Sequence, residues 1–325
     1  MPSTATEAAP VHAAPVPLRL EAVRYVARNI LAFELVSPGG LALPPAEAGA
    51  HIGVHLPNGI VRQYSLLRGA AAPRSYEIAV KLDAASRGGS RFMHQELRVG
   101  TILAVDAPRN NFPVAPDAPQ HLFFAGGIGI TPILAMLEAL ADRGERGELW
   151  YACRERAELA FEARLAAIAR LHLHIDTEQE GRFFDIAAPI ATASRQAHLY
   201  CCGPAPMLAA FSAATHDWPT RQIHLEYFTP RATAAVGGGF TVALARRRQE
   251  FHVPSGRTIL QVLREAGVEV SSSCEEGICA ACETHVLEGL PDHRDSILSD
   301  EERASARTMM ICVSGSKSPR LVLDL

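Results

Sequence analysis

Four cysteines constrain this chain more than any other feature. Cys274, Cys279 and Cys282 follow a C-x4-C-x2-C spacing, and Cys312 arrives after twenty-nine further residues. Three thiolates in one short loop and a fourth from far along the chain suit a [2Fe–2S] cluster. A loop that wraps a cluster must bring backbone N–H groups close to its sulfurs, and Gly277, Ala280 and Ala281 are small enough to permit it. Two other uses compete. A structural zinc site with four cysteine ligands is usually built from two close pairs, and the second pair is missing here. Disulfides need an oxidising compartment. The first seventeen residues are rich in Ala, Pro, Ser and Thr, with neither a basic n-region nor an apolar core, so they do not read as an export signal. The expectation is a cytoplasmic protein that moves electrons. Cys153, Cys201 and Cys202 lie far upstream and read as unpaired thiols.

A chain of 325 residues predicts two or three domains, each with its own core. The formal net charge of −4 argues against a nucleic-acid partner. No apolar run approaches the ~20 residues needed to span a bilayer. From Gly239 onward there are ten basic and thirteen acidic residues. Glu275, Glu276 and Glu283 lie in or beside the cysteine loop and read either as solvated charge or as a docking face for a basic partner.

Residues 1–17 read as a disordered leader. Residues 18–114 carry short alternating runs broken by Gly, Pro and Asn, the pattern of a small antiparallel barrel. One helix interrupts them, SRFMHQELRVG, opened by Ser90 and closed by Gly100. Over residues 115–230 strands alternate with helices, which predicts a parallel sheet. Residues 231–239 have linker composition. Residues 240–325 hold two strands, the helix TILQVLREAG and the cysteine loop.

Several short segments carry further chemistry. Arg62-Gln63-Tyr64-Ser65 sits on a barrel strand, where Arg62 and Tyr64 share a face and Ser65 points away unless the strand bends. In Arg87-Gly88-Gly89-Ser90, two glycines before a helix let N–H groups approach a phosphate; a plain turn with a serine cap is the alternative. Gly126-Gly127-Ile128-Gly129-Ile130-Thr131-Pro132 joins a strand to a helix and allows the same close approach to a pyrophosphate. Thr131 reads as a helix cap. Cys202, Gly203, Pro204 and Met207 follow another strand, at the edge where open α/β sheets collect ligands. Arg154 and Arg156 follow the strand ELWYAC and could approach the adenosine end of a nucleotide. His172 and His174 alternate on a strand without a third metal ligand.

The R-Q-Y-S segment resembles the flavin motif of the ferredoxin–NADP⁺ reductase superfamily. That resemblance implies that Arg62 pairs with the flavin phosphate, Tyr64 packs on the isoalloxazine and Ser65 hydrogen-bonds near its reactive nitrogen. The SRGGS stretch, with Val80 and Lys81 before it, resembles the phthalate dioxygenase reductase family, which implies FMN rather than FAD. GGIGITP is similar to the superfamily's pyridine-nucleotide motif. The C-G-P-x-x-M likeness implies a place for Cys202 beside the nicotinamide, with a buried structural thiol as the alternative. Glu226 and Phe228 end this lobe, and Phe228 either covers the flavin or belongs to the core. The order of parts also matches the reductases of vanillate demethylase and phenoxybenzoate dioxygenase systems.

The implied fold is a flavin-binding β-barrel, a parallel-sheet NAD domain and a C-terminal β-grasp ferredoxin domain. The implied function is an NADH-dependent reductase that passes electrons through FMN and a [2Fe–2S] cluster to a Rieske-type aromatic-ring oxygenase or O-demethylase. Ser65, Cys202 and Phe228 stand nearest the chemistry, and a monomer is expected. The same redox core could serve a haem-thiolate monooxygenase. A non-catalytic protein with a structural zinc site is the reading from another class.

Overall fold

The structure is a computed structural model describing residues 14–325. Residues 1–13 of the expected leader lie outside the described residues. Val16 and Pro17 belong to the first strand, where they pair with Val105 and Ala104. The barrel therefore begins before the boundary expected at residue 18.

Its strands are β1 (Val16–Ala27), β2 (Ile30–Val36), β3 (His51–His55), β4 (Val61–Ser65), β5 (Ser75–Lys81) and β6 (Ile102–Val105). All pair antiparallel in the order β4-β3-β6-β1-β2-β5. A bridge between Leu66 and Ile78 joins the ends of that order. The run AVRYVARNILAFELVS holds two strands, because Asn29 turns the chain at φ 63°; Asn tolerates that left-handed conformation. Alternate side chains such as Leu18, Leu20, Phe33, Leu35, Ile52 and Val54 fill the interior.

The short helix α1 (Gly89–Gln95) is capped differently from the expectation. Gly88, at φ 100°, is the N-cap, and Ser90 lies inside the first turn. Ser86 does the capping work: its Oγ accepts from Gly88 N and Arg91 N, both at 3.2 Å.

The second sheet is wholly parallel, with strands β7 (His121–Gly126), β8 (Glu148–Cys153), β9 (Arg170–Ile175), β10 (His198–Cys202) and β11 (Ile223–Glu226). Its order, β11-β10-β7-β8-β9, reverses direction at β7. The carboxyl ends of β7 and β10 therefore flank a topological switch point, where such folds bind ligands. Helices α2 (Ile130–Asp142), α3 (Glu162–Ile168), α4 (Ala187–Ala191) and α5 (Ala205–Ala214) cover the sheet. Thr131 is not the cap of α2. Its Oγ1 donates to the Ile128 carbonyl at 3.0 Å, and Gly129 holds the N-cap position.

The third sheet has the order β13-β12-β18-β14-β16, from β12 (Phe240–Leu244), β13 (Gln249–Val253), β14 (Glu283–Glu288), β16 (Thr308–Met310) and β18 (Arg320–Leu323). β12 and β18 pair parallel, and helix α6 (Ile259–Glu265) packs Ile259, Leu260 and Leu263 into their core. That is the β-grasp arrangement. A capping box between Thr258 and Gln261 starts α6. A two-stranded ribbon of β15 (Pro291–Asp292) and β17 (Gly315–Ser316), with helix α7 (Asp300–Ser305), completes the domain.

Candidate functional site

Residues from all three domains line one cleft of about 260 Å³. The barrel contributes Arg62, Tyr64, Ser65, Val80, Lys81, Arg87, Gly89 and Ser90. The nucleotide lobe contributes Thr131 and Phe228, and the cysteine loop contributes Cys274. Side chains not singled out from sequence also line it, among them Ser86, Thr229 and Ile278. Ile128 and Glu276 join them, the first as an unassigned letter of GGIGITP and the second as an acid expected to face a partner.

The wall formed by β4 suits a polar aromatic ligand with a phosphate. Ser65 is the last residue of β4, so the strand ends where its hydroxyl meets the cleft. Its Oγ and the Gln63 Oε1 are buried without a hydrogen-bond partner. Buried polar atoms are normally satisfied, so both mark positions for a ligand's donors and acceptors. Arg62 Nη1 donates to the Val61 carbonyl at 2.8 Å, which leaves the rest of its fork for an anion. A Cβ at Gly89 would stand 2.8 Å from Arg62 Cγ, so only glycine lets the loop lie against that arginine. Burial pushes the Tyr64 phenol up, so it remains neutral. These residues fit a flavin phosphate and ring.

Lys81 lines the cleft and also donates to Glu158 of the nucleotide lobe at 2.9 Å. Phe228 is 36% exposed, so it is not a core residue; it lies over the cleft.

The remaining nucleotide residues gather beside this cleft, at the ends of β7 and β10. A Cβ at Gly126 would stand 2.5 Å from Pro204 Cδ and 2.7 Å from Met207 Sδ. One at Gly129 would stand 2.2 Å from the Cys202 carbonyl oxygen and 2.9 Å from Gly203 N. Gly127 has φ 55°, and Pro132 is buried in the first turn of α2. The two segments thus touch through their backbones, which is possible only without side chains. Cys202 is fully buried, with its Sγ 3.9 Å from Glu226 Oε2. Burial pushes the Cys202 thiol well above its ordinary value, and the neighbouring Glu226 carboxyl adds to that. Glu226 keeps some exposed surface, yet it lies deep enough that burial pushes its carboxyl up to about 8. Cys201 faces the opposite side of the sheet, in the apolar cluster around Phe124 and Phe211.

Other expectations resolve simply. Glu178 grips the Arg156 fork at 2.6 and 2.7 Å, so that arginine is spoken for. His172 stacks on Trp150 and pairs with Glu148 at 2.9 Å, while His174 meets the Arg182 carbonyl at 2.8 Å.

In the cysteine loop, backbone N–H groups already point at sulfur. Glu276 N donates to Cys274 Sγ at 3.3 Å and Cys274 N to Cys279 Sγ at 3.5 Å. Gly277, at φ 70°, packs so closely that a Cβ would stand 2.6 Å from Val313 Cγ2. Cys274 lies beside Cys279, and Cys282 beside Cys312. Among the described residues no three His, Cys, Asp or Glu converge on one ion position. Two pairs suit two irons, each needing two thiolates. The neighbouring Cys279 lowers the Cys274 thiol, as do the backbone N–H groups aimed at its sulfur. Glu275 pairs with Arg264 at 2.7 Å and Glu276 with Arg87. Both acids thus have a basic partner within the chain.

The comparisons agree with this geometry. Residues 242–316 match the 2Fe-2S iron-sulfur cluster binding domain, and residues 123–213 match the oxidoreductase NAD-binding domain. Tetrachlorobenzoquinone reductase of Sphingobium chlorophenolicum is 50% identical over 92% of this chain and 95% of its own. Phthalate dioxygenase reductase of Burkholderia cepacia is 39% identical over 95% of this chain and 97% of its own. A solved phthalate dioxygenase reductase, described as a modular structure for electron transfer from pyridine nucleotides to [2Fe-2S], superposes with a TM-score of 0.69 at 38% identity. It covers 96% of this chain and 98% of its own. An intact type IV self-sufficient cytochrome P450 monooxygenase superposes with a TM-score of 0.86 at 37% identity over 98% of this chain, which spans 43% of that longer protein.

Proposed function

The chain belongs to the phthalate dioxygenase reductase family, and on that premise we propose that it draws electrons from NADH and delivers them singly, through FMN and a [2Fe–2S] cluster, to a Rieske-type oxygenase acting on an aromatic compound. The observation that carries this reading is the shared cleft. Flavin-motif side chains, the start of the nucleotide helix and the cluster ligand Cys274 line the same space.

Bound there, the flavin supplies the exchange between a two-electron hydride and a one-electron iron–sulfur centre. The chain's own residues bind and orient. Arg62 and Arg87 hold the phosphate, and Ser90 adds a hydroxyl beside them. Tyr64 packs on the ring, Ser65 donates to its reactive edge, and Val80 and Lys81 border it. Gly126, Gly127 and Gly129 admit the pyrophosphate to the N-terminus of α2, where unpaired N–H groups favour anions. Cys202 and Glu226, with Gly203, Pro204 and Met207, shape the nicotinamide seat. Near neutral pH Glu226 largely keeps its proton, so it offers a hydrogen-bond donor rather than a charge. Phe228 covers the flavin until nicotinamide displaces it. No proton shuttle is needed, because a hydride moves as one unit.

Among the described residues no helix is long and apolar enough to cross a membrane, in keeping with a reductase that meets its oxygenase by diffusion.

A second reading has support in the 50% identity to tetrachlorobenzoquinone reductase, in which a quinone takes the electrons. The likeness to the cytochrome P450 fusion supports a haem-thiolate acceptor. One experiment separates the three. Purified reductase and NADH are mixed in turn with a Rieske oxygenase and its aromatic substrate, a chlorinated benzoquinone, and a P450. The proposal predicts hydroxylated or demethylated product in the first mixture. Fast NADH oxidation with quinone alone, and no product with any oxygenase, would favour the second reading.

A further inference from the structure

One residue of the flavin strand faces two ways: its Oε1 is buried in the cleft, and its amide nitrogen reaches out to the cluster loop. Gln63 lies between Arg62 and Tyr64, and its Nε2 donates to Ser273 Oγ at 2.7 Å, across 210 residues of sequence. Ser273 Oγ donates in turn to Asp106 Oδ2 at 2.7 Å. Asp106 Oδ1 meets His55 Nε2 at 2.8 Å, and the Asp106 N–H donates to the Gly53 carbonyl at 2.8 Å. Ser273 and Asp106 are 8% and 9% exposed. A Cβ at Gly53 would stand 2.2 Å from Asp106 Oδ2 and 2.9 Å from Ser273 Oγ, so the strand is bare where the two side chains meet. Residues of β3 and β4, and the residue just after β6, thus converge on Ser273. The next residue is the cluster ligand Cys274.

We propose that this buried chain of hydrogen bonds is a clamp that holds the cluster loop against the flavin strand, with Ser273 and Asp106 as positioning residues for electron transfer from flavin to cluster. The proposal rests on the reading that flavin and cluster occupy the two sides of the cleft. In the step concerned, one electron leaves the reduced flavin, one ferric ion of the cluster becomes ferrous, and the proton the flavin releases passes to water. The rate depends on the gap between donor and acceptor. Hydrogen bonds set both direction and distance. If the loop moved away, the buried Gln63 amide nitrogen would lose its partner and the buried Asp106 carboxylate would lose one of its two, so the docked position is preferred. The other polar link from barrel to loop, Arg87 to Glu276, ends on an arginine that is 66% exposed and holds more weakly.

Ser273→Ala and Asp106→Asn test the clamp by anaerobic stopped flow, with hydrogen–deuterium exchange over residues 270–283 as a readout independent of turnover. Bleaching of the flavin by NADH should be unchanged in both variants. Reduction of the cluster should slow by about ten- to a hundredfold in Ser273→Ala, and exchange in the loop should rise. Ser273→Thr, which keeps a hydroxyl, should recover most of the rate. If Ser273→Ala does not fold, Asp106→Asn carries the same comparison with volume preserved. An unchanged cluster phase and unchanged exchange in the folded variants would overturn the clamp, as would equal slowing of both phases. Wild-type protein in which NADH bleached the flavin but never reduced the cluster would overturn the relay itself, and the clamp with it.

Discussion

The barrel meets its two neighbours in different ways. Against the nucleotide lobe it shares one continuous apolar cluster: Ala27, Ile30, Leu67, Ala79 and Phe112 pack with Phe123, Ile130, Leu134, Tyr151 and Cys202. Phe112 meets Tyr200 edge-on at 5.9 Å. Against the ferredoxin domain it has polar links through Ser273 and Glu276, while that domain keeps a core of its own. The difference follows from the chemistry. Hydride transfer needs two rings held face to face within a fraction of an ångström, and a shared core resists shear. A single electron needs only proximity, and the domain that carries it must also face a partner. Polar contacts hold such a domain in register yet can be exchanged for others.

Removing the cluster separates the two junctions most sharply. Cys279→Ser should abolish one-electron reduction of cytochrome c, a loss of about a hundredfold or more if Cys279 holds an iron. Flavin bleaching by NADH should persist. Phe112→Ala attacks the apolar junction and should cost about 3–5 kcal/mol, as large-to-small changes of buried aromatics do. Calorimetry should show barrel and nucleotide lobe melting together at lower temperature, with the ferredoxin transition unmoved.

The exposed part of the polar junction should matter less. Glu276→Gln removes an ion pair worth about 0–1 kcal/mol, so transfer from flavin to cluster should slow no more than about fivefold. Rising salt should mimic it in wild-type protein and leave hydride transfer alone. A separate effect, on stability rather than on transfer, concerns Glu226. Its folded carboxyl titrates at about 8 rather than near 4.5, so the folded state holds a proton that the unfolded state releases. Stability should therefore fall as pH rises between those values. Glu226→Gln should flatten that slope in melting temperature against pH.

Much of this was readable from sequence where local rules govern. Glycines between a strand and a helix, the R-x-Y-S run on β4 and the spacing of Cys274, Cys279 and Cys282 are local statements, and Arg62, Tyr64, Ser65, Thr131 and Cys274 line one cleft. Elements with weak local signals escaped. β15 and β17 have two residues each, too few for alternation to register. α5 is rich in alanine and has no marked apolar stripe. Ser90 was the expected cap because it directly follows two glycines, yet Ser86 reaches the free N–H groups by folding back over the loop. The Gln63–Ser273–Asp106 chain links residues 210 and 167 positions apart. No spacing rule reaches so far, and only the assembled fold puts them together.

The central claim is that electrons entering as hydride at the barrel leave through the four cysteines. Anaerobic titration with NADH, followed by visible absorbance and electron paramagnetic resonance, tests it directly. The account predicts that flavin absorbance bleaches and that the signal of a reduced [2Fe–2S] centre grows with it. A bleached flavin beside a cluster that stays silent with excess NADH, yet is reduced by dithionite, would contradict it.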